Sequence, residues 1–351
     1  MKIVVITKKL NERSGWGRYS LDLIQALHKA GHEVIEIHIS SNPILLKRVI
    51  LLTPWYVLKI IPKWRKIKEA DCLHCLIEPY CFLTAVLSFI FNKKYFITAH
   101  GSYTLKTLND KFIAPFQMLA YRRAKNIISI SNFTKNRLKE FIELSNIVVV
   151  PNGGPDVIGR LQRNPKPNSI LSVGALKWRK GHHKVLEAVA FIKKEIPDVM
   201  ITIIGNQNDF IYTKNLKEQI DVLGIQKNVQ LLSNISETEL DKIYSESKIF
   251  VLMPLSSRFD FEGFGLVYLE ANSVGLPTVG ALGSGAEESI KDGQSGFLID
   301  PEDRIRLVQV IRKLLTDVGF CDNISKGALD WASSLTWDKQ VLKYINIYKK
   351  Q

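Results

Sequence analysis

Short runs of β-branched and apolar residues alternate along this chain with amphipathic stretches of helical period, which restricts the fold to the α/β class. The first half opens with KIVVIT, a Gly-rich loop NERSGWGRYS, the helical stretch LDLIQALHKAG and the strand-like HEVIEIHI. From residue 169 the pattern restarts with SILSVGAL, HHKVLEAVAFIKKEI and DVMITIIGN. Strand-like runs that end in small or polar residues predict parallel, doubly wound sheets with functional loops at the carboxyl ends of their strands.

The length and one break in composition predict two domains. A chain of 351 residues exceeds the size at which a single hydrophobic core keeps growing. Residues 155–168, PDVIGRLQRNPKPN, hold three prolines and little periodicity, so we interpret them as an interdomain linker. The predicted organisation is a first domain over 1–154, this linker, a second domain over 169–330, and a final helix over 331–351 that packs back on the first domain.

The net charge of +14 lies almost entirely in the first half of the chain. Residues 1–150 hold 23 Lys and Arg against 10 Asp and Glu, whereas residues 151–351 hold 25 against 24. Within the first half, residues 43–69 carry seven Lys or Arg and one acid among Leu, Ile, Val and Trp. Such a segment cannot span a bilayer but suits an anionic membrane surface, so we expect docking there. An ordinary pair of surface helices fits the same residues.

The N-terminus and the cysteines favour a cytoplasmic protein that is peripheral at the inner face of the membrane. MKIVVIT is followed at once by two lysines and lacks the apolar core and cleavage site of a signal peptide. The longest charge-free apolar run, residues 81–91, is about half of what a membrane span needs. Cys72 and Cys75 form a CxxC without a second pair at zinc spacing, so we expect buried thiols, no metal and no cofactor.

The segment FEGFGLVYLEA places two carboxylates, Glu262 and Glu270, on either side of a Gly-Phe-Gly turn. If the turn opens a helix, its N–H groups attract an anion and Glu270 lies roughly 10 Å further along. A nucleotide sugar has about that length, with sugar hydroxyls at Glu262, a diphosphate at the helix N-terminus and ribose at Glu270. Acid-containing Gly turns also occur in many α/β proteins, but the following helix, Gly-Pro stop and strand place this one at a ligand-binding rim.

Together these features resemble family 4 of the retaining glycosyltransferases, which have the two-domain GT-B fold. Besides FEGFGLVYLEA, the blocks SVGALKWRKGHHKVLEA and GSGAEESIKDGQSGFLID carry the resemblance, which covers nearly the whole chain. It implies two Rossmann-like doubly wound domains that face a central cleft, and a nucleoside diphosphate sugar as donor. It also implies retention of the anomeric configuration without a clear protein nucleophile.

In the second half, the resemblance implies that Glu262 binds sugar hydroxyls and Glu270 binds the ribose of the donor. Main-chain N–H groups share the sugar contact, from Gly263, Phe264, Gly265 and Leu266. Negative charge develops on the leaving phosphate and no convincing Asp-x-Asp is present, so Arg179 and Lys180 are the candidate catalytic cations. The chain departs from the family at Ala175, where an Arg usually contacts the diphosphate.

We expect either Lys177 or Arg179 to supply the charge that Ala175 lacks.

In the first half, His100 in TAHGS matches a family histidine beside the donor sugar, although a rim histidine with satisfied hydrogen bonds fits the same residues. The SGWGRYS loop contributes three candidates that approach donor phosphate or acceptor: Gly15, Gly17 and Arg18. Two weaker candidates on the acceptor side also fit a helix cap and a turn: Ser131 and Asn152.

The function expected from these residues is transfer of a hexose to a lipid-linked or glycan acceptor at the cytoplasmic membrane face, in polysaccharide or glycolipid biosynthesis. One alternative is another GT-B enzyme, such as a nucleotide-sugar epimerase. A second is a non-catalytic basic protein that binds membrane or nucleic acid. The chain has no recognisable nucleic-acid module and no repeated stacking aromatics among its basic residues, so no nucleic-acid partner is expected.

Overall fold

The computed structural model describes residues 1–8, 15–39, 46–155 and 161–350, and they form two compact units. Unit 1 comprises Met1–Gly153 with Trp337–Gln351, and unit 2 comprises Gly154–Thr336. The chain therefore enters unit 2 at Gly154 and returns to unit 1 at Trp337. Of the segment interpreted as a linker, residues 156–160 lie outside the described residues. Arg163 belongs to unit 2, where its guanidinium donates to the carbonyl oxygens of Gly275 (2.6 Å) and Ser247 (3.2 Å).

Unit 1 is built on a six-stranded parallel sheet of order β2-β1-β3-β4-β5-β6. Its strands are β1 Lys2–Lys8, β2 Glu33–Ile39, β3 Cys72–Cys75, β4 Tyr95–Ala99, β5 Asn126–Ser129 and β6 Ile147–Val149. Its helices are α1 Gly15–Lys29, α2 Leu46–Leu51, α3 Thr53–Lys59, α4 Trp64–Glu69, α5 Cys81–Phe91, α6 Ser102–Asn109, α7 Ala114–Arg123, α8 Asn132–Lys139 and, from the C-terminal return, α16 Trp337–Lys349. The apolar runs KIVVIT and KYFITA form buried strands, as a parallel sheet covered on both faces requires.

Unit 2 repeats this plan with a second parallel sheet of order β12-β11-β10-β7-β8-β9. Its strands are β7 Ser169–Val173, β8 Met200–Ile204, β9 Val229–Leu232, β10 Ile249–Val251, β11 Thr278–Ala281 and β12 Gly296–Ile299. Its helices are α9 His182–Ile192, α10 Phe210–Val222, α11 Glu237–Glu246, α12 Leu266–Ser273, α13 Ala286–Ser289, α14 Arg304–Thr316 and α15 Val318–Ser334. Helix α9 buries Val185, Val189 and Ile192, one helical face, in a core shared with Ile201 and Ile203 of β8.

The order of the strands reverses once in each sheet, and this sets where a ligand can bind. In unit 1 the reversal lies between β1 and β3, and in unit 2 it lies between β7 and β10. Loops that leave the carboxyl ends of two such strands run to opposite sides, so a crevice opens between them. The loops after β7 and β10 carry the candidate residues Lys180 and Glu262, respectively.

The start of α1 differs from the sequence-based expectation. The sequence predicts a loop over NERSGWGRYS that ends before Leu21, but the helix begins at Gly15. The wrong boundary came from the two glycines, which have low helix propensity. Tyr19 and Ser20 are buried together with Leu23 and Leu27, and this packing outweighs the local preference. Gly15, Gly17 and Arg18 therefore lie in the first turn of a helix, while residues 9–14 lie outside the described residues.

The four cysteines are buried free thiols. Within the described parts of the chain, no helix is both long and apolar enough to cross a membrane.

Buried hydrogen bonds connect α16 to the sheet of unit 1. The Tyr348 hydroxyl lies 2.6 Å from Nδ1 of His74 on β3, and His74 Nε2 lies 2.9 Å from Oγ1 of Thr98 on β4. The Tyr19 hydroxyl contacts both Thr98 Oγ1 (2.8 Å) and the Tyr344 hydroxyl (2.9 Å). Burial lowers the pKa of His74 to about 3, so its imidazole is neutral in the folded protein. The aromatic residues of the last helix thus serve in packing and in this network.

This buried histidine predicts an acid-sensitive stability. The folded state holds His74 neutral, so below pH 6.5 only the unfolded chain takes up that proton and stability falls as pH drops toward 3. The loss is about 1.4 kcal/mol per pH unit. We expect denaturant unfolding of His74→Gln to show a shallower decline between pH 6.5 and 5, by about 2 kcal/mol. The exposed His28→Gln is the matched control. Parallel pH profiles for wild type and His74→Gln would contradict this assignment.

Candidate functional site

In unit 2, two segments far apart in sequence meet at the reversal of strand order. A 3₁₀ turn, Trp178–Lys180, follows β7, and residues 252–265 connect β10 to α12. The backbone N–H of Leu255 donates to the carbonyl oxygen of Arg179 at 2.8 Å, which fastens the second segment to the first. Arg179 and Glu262, 83 positions apart, are thereby brought into contact.

One oxygen of Glu262 accepts hydrogen bonds from both candidate cations. Lys180 Nζ lies 2.5 Å and Arg179 Nη1 lies 2.9 Å from Glu262 Oε2. The Lys180 and Glu262 side chains are only 11% and 13% exposed, and that of Arg179 is 29% exposed. Burial acts to raise the pKa of Glu262, but the two cations lower the pKa to about 2. Burial lowers the pKa of Lys180, while Glu262 acts in the opposite direction. Two cations therefore share one ionised carboxylate.

Gly181 makes the turn beneath this cluster possible. Its φ of +66° lies in the left-handed region, and a Cβ there would stand 1.6 Å from the carbonyl oxygen of Met253. Only glycine satisfies both conditions. Helix α9 starts at the next residue. The close approach of Gly181 to residue 253 therefore fixes the position of the backbone from which the Lys180 and Arg179 side chains extend.

The Gly-Phe-Gly segment opens α12, which begins at Leu266 with Gly265 as its N-cap residue. Phe264 is buried, and the carbonyl oxygen of Glu262 accepts from the N–H of Gly285 at 2.8 Å. The free N–H groups at the start of α12 thus come a few residues after Glu262, the carboxylate that binds the two cations.

Glu270 lies in α12 and is held from a neighbouring helix. The buried Tyr244 of α11 donates its hydroxyl to Glu270 Oε2 at 3.1 Å. The Tyr244 ring in turn stacks on Phe250 of β10, with 6.3 Å between centroids. Tyr244 could not be predicted from the sequence, because its contact to Glu270 spans 26 residues and no local pattern marks it.

His182 is a second residue of this region that is not among those predicted from the sequence. Its Nδ1 lies 3.1 Å from the Ser172 hydroxyl and its Nε2 lies 3.2 Å from the carbonyl oxygen of Gly174. Burial lowers the pKa of His182 to about 4, so the ring is neutral. It fixes the loop after β7 that contains Ala175. Of the two residues proposed to replace the missing Arg there, Arg179 contacts Glu262 and Lys177 is exposed.

In unit 1, the start of α1 and the loop after β4 are neighbours. The ring of Tyr19 packs edge-on against His100, with 4.5 Å between centroids. Arg18 pairs with Asp22 one turn later at 3.2 Å, and Asp22 Oδ2 accepts from Trp337 Nε1 at 3.2 Å. Gly15, Gly17 and Arg18 therefore lie on a helix whose position is fixed by α16.

His100 itself is held by the segment that follows β3. Its backbone N–H donates to Glu78 Oε1 at 2.6 Å, and its Nε2 lies 2.7 Å from the carbonyl oxygen of Leu76. Glu78 was not among the residues predicted from sequence. A signal for it existed, because an acid three residues beyond the end of β3 lies at the ligand-binding edge of a parallel sheet.

The two weaker candidates of unit 1, Ser131 and Asn152, are both buried. Ser131 is buried and caps α8, where its Oγ accepts from the N–H of Thr134 at 2.9 Å. Asn152 is 2% exposed, and its Oδ1 has no hydrogen-bond partner among the described residues.

Within the described residues, no cluster of three or more His, Cys, Asp or Glu is arranged to hold a metal ion.

Two protein-family models together match most of the chain. The model described as glycosyl transferases group 1 matches residues 155–331. The model described as glycosyltransferase family 4 matches residues 13–154.

Curated relatives match over part of their length. A GDP-mannose-dependent alpha-(1-6)-phosphatidylinositol monomannoside mannosyltransferase of Mycolicibacterium smegmatis is 29% identical over 42% of this chain and 38% of its own. A D-inositol 3-phosphate glycosyltransferase of Corynebacterium urealyticum is 29% identical over 50% of this chain and 42% of its own. The matched region thus spans about two fifths of these relatives.

Solved structures share the fold over the full length. Anabaena HepE in complex with UDP-glucose aligns with a TM-score of 0.79 and 18% identity over 99% of both chains. Sucrose-phosphate synthase of Thermosynechococcus elongatus aligns with a TM-score of 0.79 and 17% identity over 99% of this chain and 98% of its own. The two sheets with their surrounding helices therefore form the GT-B type of α/β fold.

The shared carboxylate predicts unequal effects of two neighbouring lysines. Lys180→Met leaves buried Glu262 with one cation, which we expect to destabilise unit 2 by about 2–4 kcal/mol at pH 7. The exposed Lys177→Met is the matched control and should change stability by less than about 0.5 kcal/mol. Denaturant unfolding measures both. Equal stabilities of the two variants would show that Glu262 does not depend on Lys180.

Proposed function

The chain belongs to the group 1, family 4 glycosyltransferases, and we propose that it moves a hexose from a nucleoside diphosphate sugar to a lipid-linked or glycan acceptor with retention of configuration. The observation that carries this proposal is the pair of cations, Lys180 and Arg179, on one oxygen of Glu262.

The cation pair fits the charge that appears when a sugar leaves a nucleoside diphosphate. Two cations and one carboxylate leave one net positive charge, next to the first turn of α12. Positive groups fixed in a buried site stabilise developing negative charge better than solvent, because they need no reorganisation. Lys180 and Arg179 would therefore stabilise the β-phosphate as it departs.

The carboxylates would bind the two ends of the donor. Glu262, ionised because of its two cations, would accept hydrogen bonds from sugar hydroxyls, together with the N–H groups from Gly263 to Leu266. Glu270, held at one oxygen by the Tyr244 hydroxyl, would accept from the ribose. In unit 1, His100 would contact the sugar.

The proposed reaction needs no nucleophile from the protein. The bond between the anomeric carbon and the phosphate oxygen breaks with its electron pair staying on the phosphate. The acceptor hydroxyl attacks from the same face, and its proton passes to the departing phosphate oxygen. Retention follows because both the old and the new bond lie on one face of the sugar.

A lipid-linked acceptor is supported by the name of one relative and by a surface of unit 1. The Mycolicibacterium enzyme is named for a phosphatidylinositol substrate. At the end of α2, on α3 and α4 and on the turn between these two, apolar side chains are exposed: Leu51, Trp55, Leu58, Ile61 and Trp64. We call this region the docking surface, and it also carries five exposed cations: Lys59, Lys63, Arg65, Lys66 and Lys68. Lys59 Nζ lies 3.8 Å from the Trp55 ring centroid.

Helix α5 extends the docking surface with Phe89, which is 82% exposed, and with Phe91, whose ring contacts Trp64 at 5.6 Å. Exposed aromatic and aliphatic groups among cations match the interface of an anionic bilayer. Residues 43–45, also part of the predicted segment, lie outside the described residues.

The proposed transfer predicts donor binding that depends on Glu270. Calorimetry with UDP, GDP and ADP identifies the preferred nucleotide. Glu270→Ala should weaken binding of that nucleotide by about 1.5–3 kcal/mol, because hydrogen bonds to a charged group are lost. The exposed Glu218→Ala is the matched control. A nucleotide without ribose hydroxyls should bind wild type and Glu270→Ala equally. Unchanged affinity of Glu270→Ala for the intact nucleotide would remove the ribose assignment.

Turnover of the matching sugar donor distinguishes transfer from its alternatives. We expect free nucleoside diphosphate to form when a lipid-linked or glycan acceptor is added, and NMR of the product to show the anomeric configuration of the donor. Epimerised donor without release of nucleoside diphosphate would indicate an epimerase. If the protein binds none of UDP, GDP and ADP, a non-catalytic role is indicated.

The docking surface predicts binding to anionic vesicles. Replacing four of its exposed cations, Lys63, Arg65, Lys66 and Lys68, with Gln should reduce sedimentation with phosphatidylglycerol vesicles at least about tenfold, since each contributes about 1 kcal/mol near such a surface. Donor affinity should not change. The control carries the same number of replacements on unit 2, at Lys214, Lys217, Lys227 and Lys242. Equal sedimentation of the two variants would contradict docking through this surface.

A further inference from the structure

The residue that follows His100 is a glycine in a backbone conformation that other residues rarely adopt. Gly101 has φ +127° and ψ −118°, a region open in practice only to glycine. Helix α6 starts at the next residue, Ser102. A glycine with this freedom does not by itself fix the direction of the residue before it, so His100 is positioned by its contacts.

Glu78 provides contacts on both sides of Gly101. It begins a 3₁₀ turn after β3, and β3 pairs with β4, so the ends of the two strands are neighbours. Its Oε1 accepts from the backbone N–H of His100 at 2.6 Å and from the Thr104 hydroxyl at 2.7 Å. One carboxylate oxygen therefore connects residue 100 to the first turn of α6.

Glu78 is itself held in place. It is fully buried, and its carbonyl oxygen accepts from Gln117 Nε2 of α7 at 3.1 Å. Two residues earlier, the Leu76 carbonyl oxygen lies 2.7 Å from His100 Nε2. The segment 76–78 thus holds both the main chain and the ring of His100.

These contacts define the protonation of the His100 ring. Burial lowers the pKa of His100, with Glu78 and the Leu76 carbonyl acting in the opposite direction, so the ring is neutral at pH 7 and above. A carbonyl oxygen only accepts, so Nε2 carries the proton and Nδ1 carries the lone pair. Nδ1 is the ring atom able to accept a hydrogen bond from a hydroxyl.

The carboxylate of Glu78 is poorly explained as a stabiliser of the fold. Its second oxygen, Oε2, is buried and has no hydrogen-bond partner among the described residues. Such an oxygen loses its hydration without compensation, which makes it costly to bury. An apolar side chain of similar size would avoid that loss, but it would release His100 and Thr104.

We propose that Glu78 is a positioning residue that holds His100 in the orientation needed at the reacting sugar. The proposal rests on the proposed glycosyl transfer, and it acts through His100 without contact between Glu78 and substrate. Gln at position 78 would keep the oxygen that accepts from His100, whereas Leu would remove it.

The test combines ring spectroscopy with kinetics on three variants. Selective ¹⁵N labelling of the seven histidines, with His100→Ala to assign the signal, reports which ring nitrogen of His100 is protonated. We expect Nε2–H in wild type and Glu78→Gln, and a mixed or shifted signal in Glu78→Leu. We expect kcat to fall at least about tenfold in Glu78→Leu with little change in donor KM, and to stay within about threefold in Glu78→Gln. The exposed Glu143→Leu removes the same charge as a control.

A double-mutant cycle decides whether the effect passes through His100. Glu78→Leu should cause no further loss of kcat in the His100→Ala background, because the residue it positions is gone. The same loss in both backgrounds, or an unchanged His100 signal in Glu78→Leu, would overturn the proposal. If Glu78→Leu does not fold, Glu78→Asp takes its place, since it withdraws the carboxylate by one methylene. If wild type transfers no sugar, the proposed function fails while the ring signal still tests the positioning.

Discussion

The arrangement of unit 2 depends on one carboxylate oxygen, Glu262 Oε2, that holds Lys180 and Arg179 at hydrogen-bond distance. A buried charge without a partner would be costly, so Glu262 and Lys180 must lie together for both to be ionised there, and Arg179 adds a second cation. That requirement explains the tight turn at Gly181, where the backbone passes residue 253 too closely for a side chain. It also explains why Leu255, in the segment after β10, donates its backbone N–H to the carbonyl oxygen of Arg179.

Parallel sheets bring these groups together because strand order does not follow chain order. β7 and β10 are neighbours although 75 residues separate the end of one from the start of the other. The β-branched runs predicted most strands directly, and the Gly-Phe-Gly turn before an apolar stretch predicted the start of α12. Contacts such as Tyr244 to Glu270 and Glu78 to His100 could not be predicted, because they join elements whose pairing no local pattern records. The start of α1 at Gly15 was missed for a related reason, since burial of Tyr19 outweighs the low helix propensity of its glycines.

In unit 1, the buried titratable group is neutral, whereas the buried Glu262 of unit 2 is ionised. His74 is neutral and fully hydrogen-bonded, and it connects α16 to the sheet. Through Tyr344 and Tyr19 the same network reaches the ring of His100, while Trp337 reaches Asp22 and so Arg18. The last helix of the chain therefore supports the residues at the carboxyl ends of β1 and β4. Glu78 belongs to the same region, but its Oε2 has no hydrogen-bond partner among the described residues. Burying such an oxygen costs stability, which favours a positioning role for Glu78 over a stabilising one.

A crystal structure with the bound nucleoside diphosphate tests most directly whether the Glu262 cluster, at the reversal of strand order in unit 2, binds the donor. We expect diphosphate oxygens within hydrogen-bond distance of Lys180 Nζ or the Arg179 guanidinium, and ribose hydroxyls at Glu270. A nucleotide bound elsewhere, with Lys180 and Arg179 still paired only to Glu262, would contradict it.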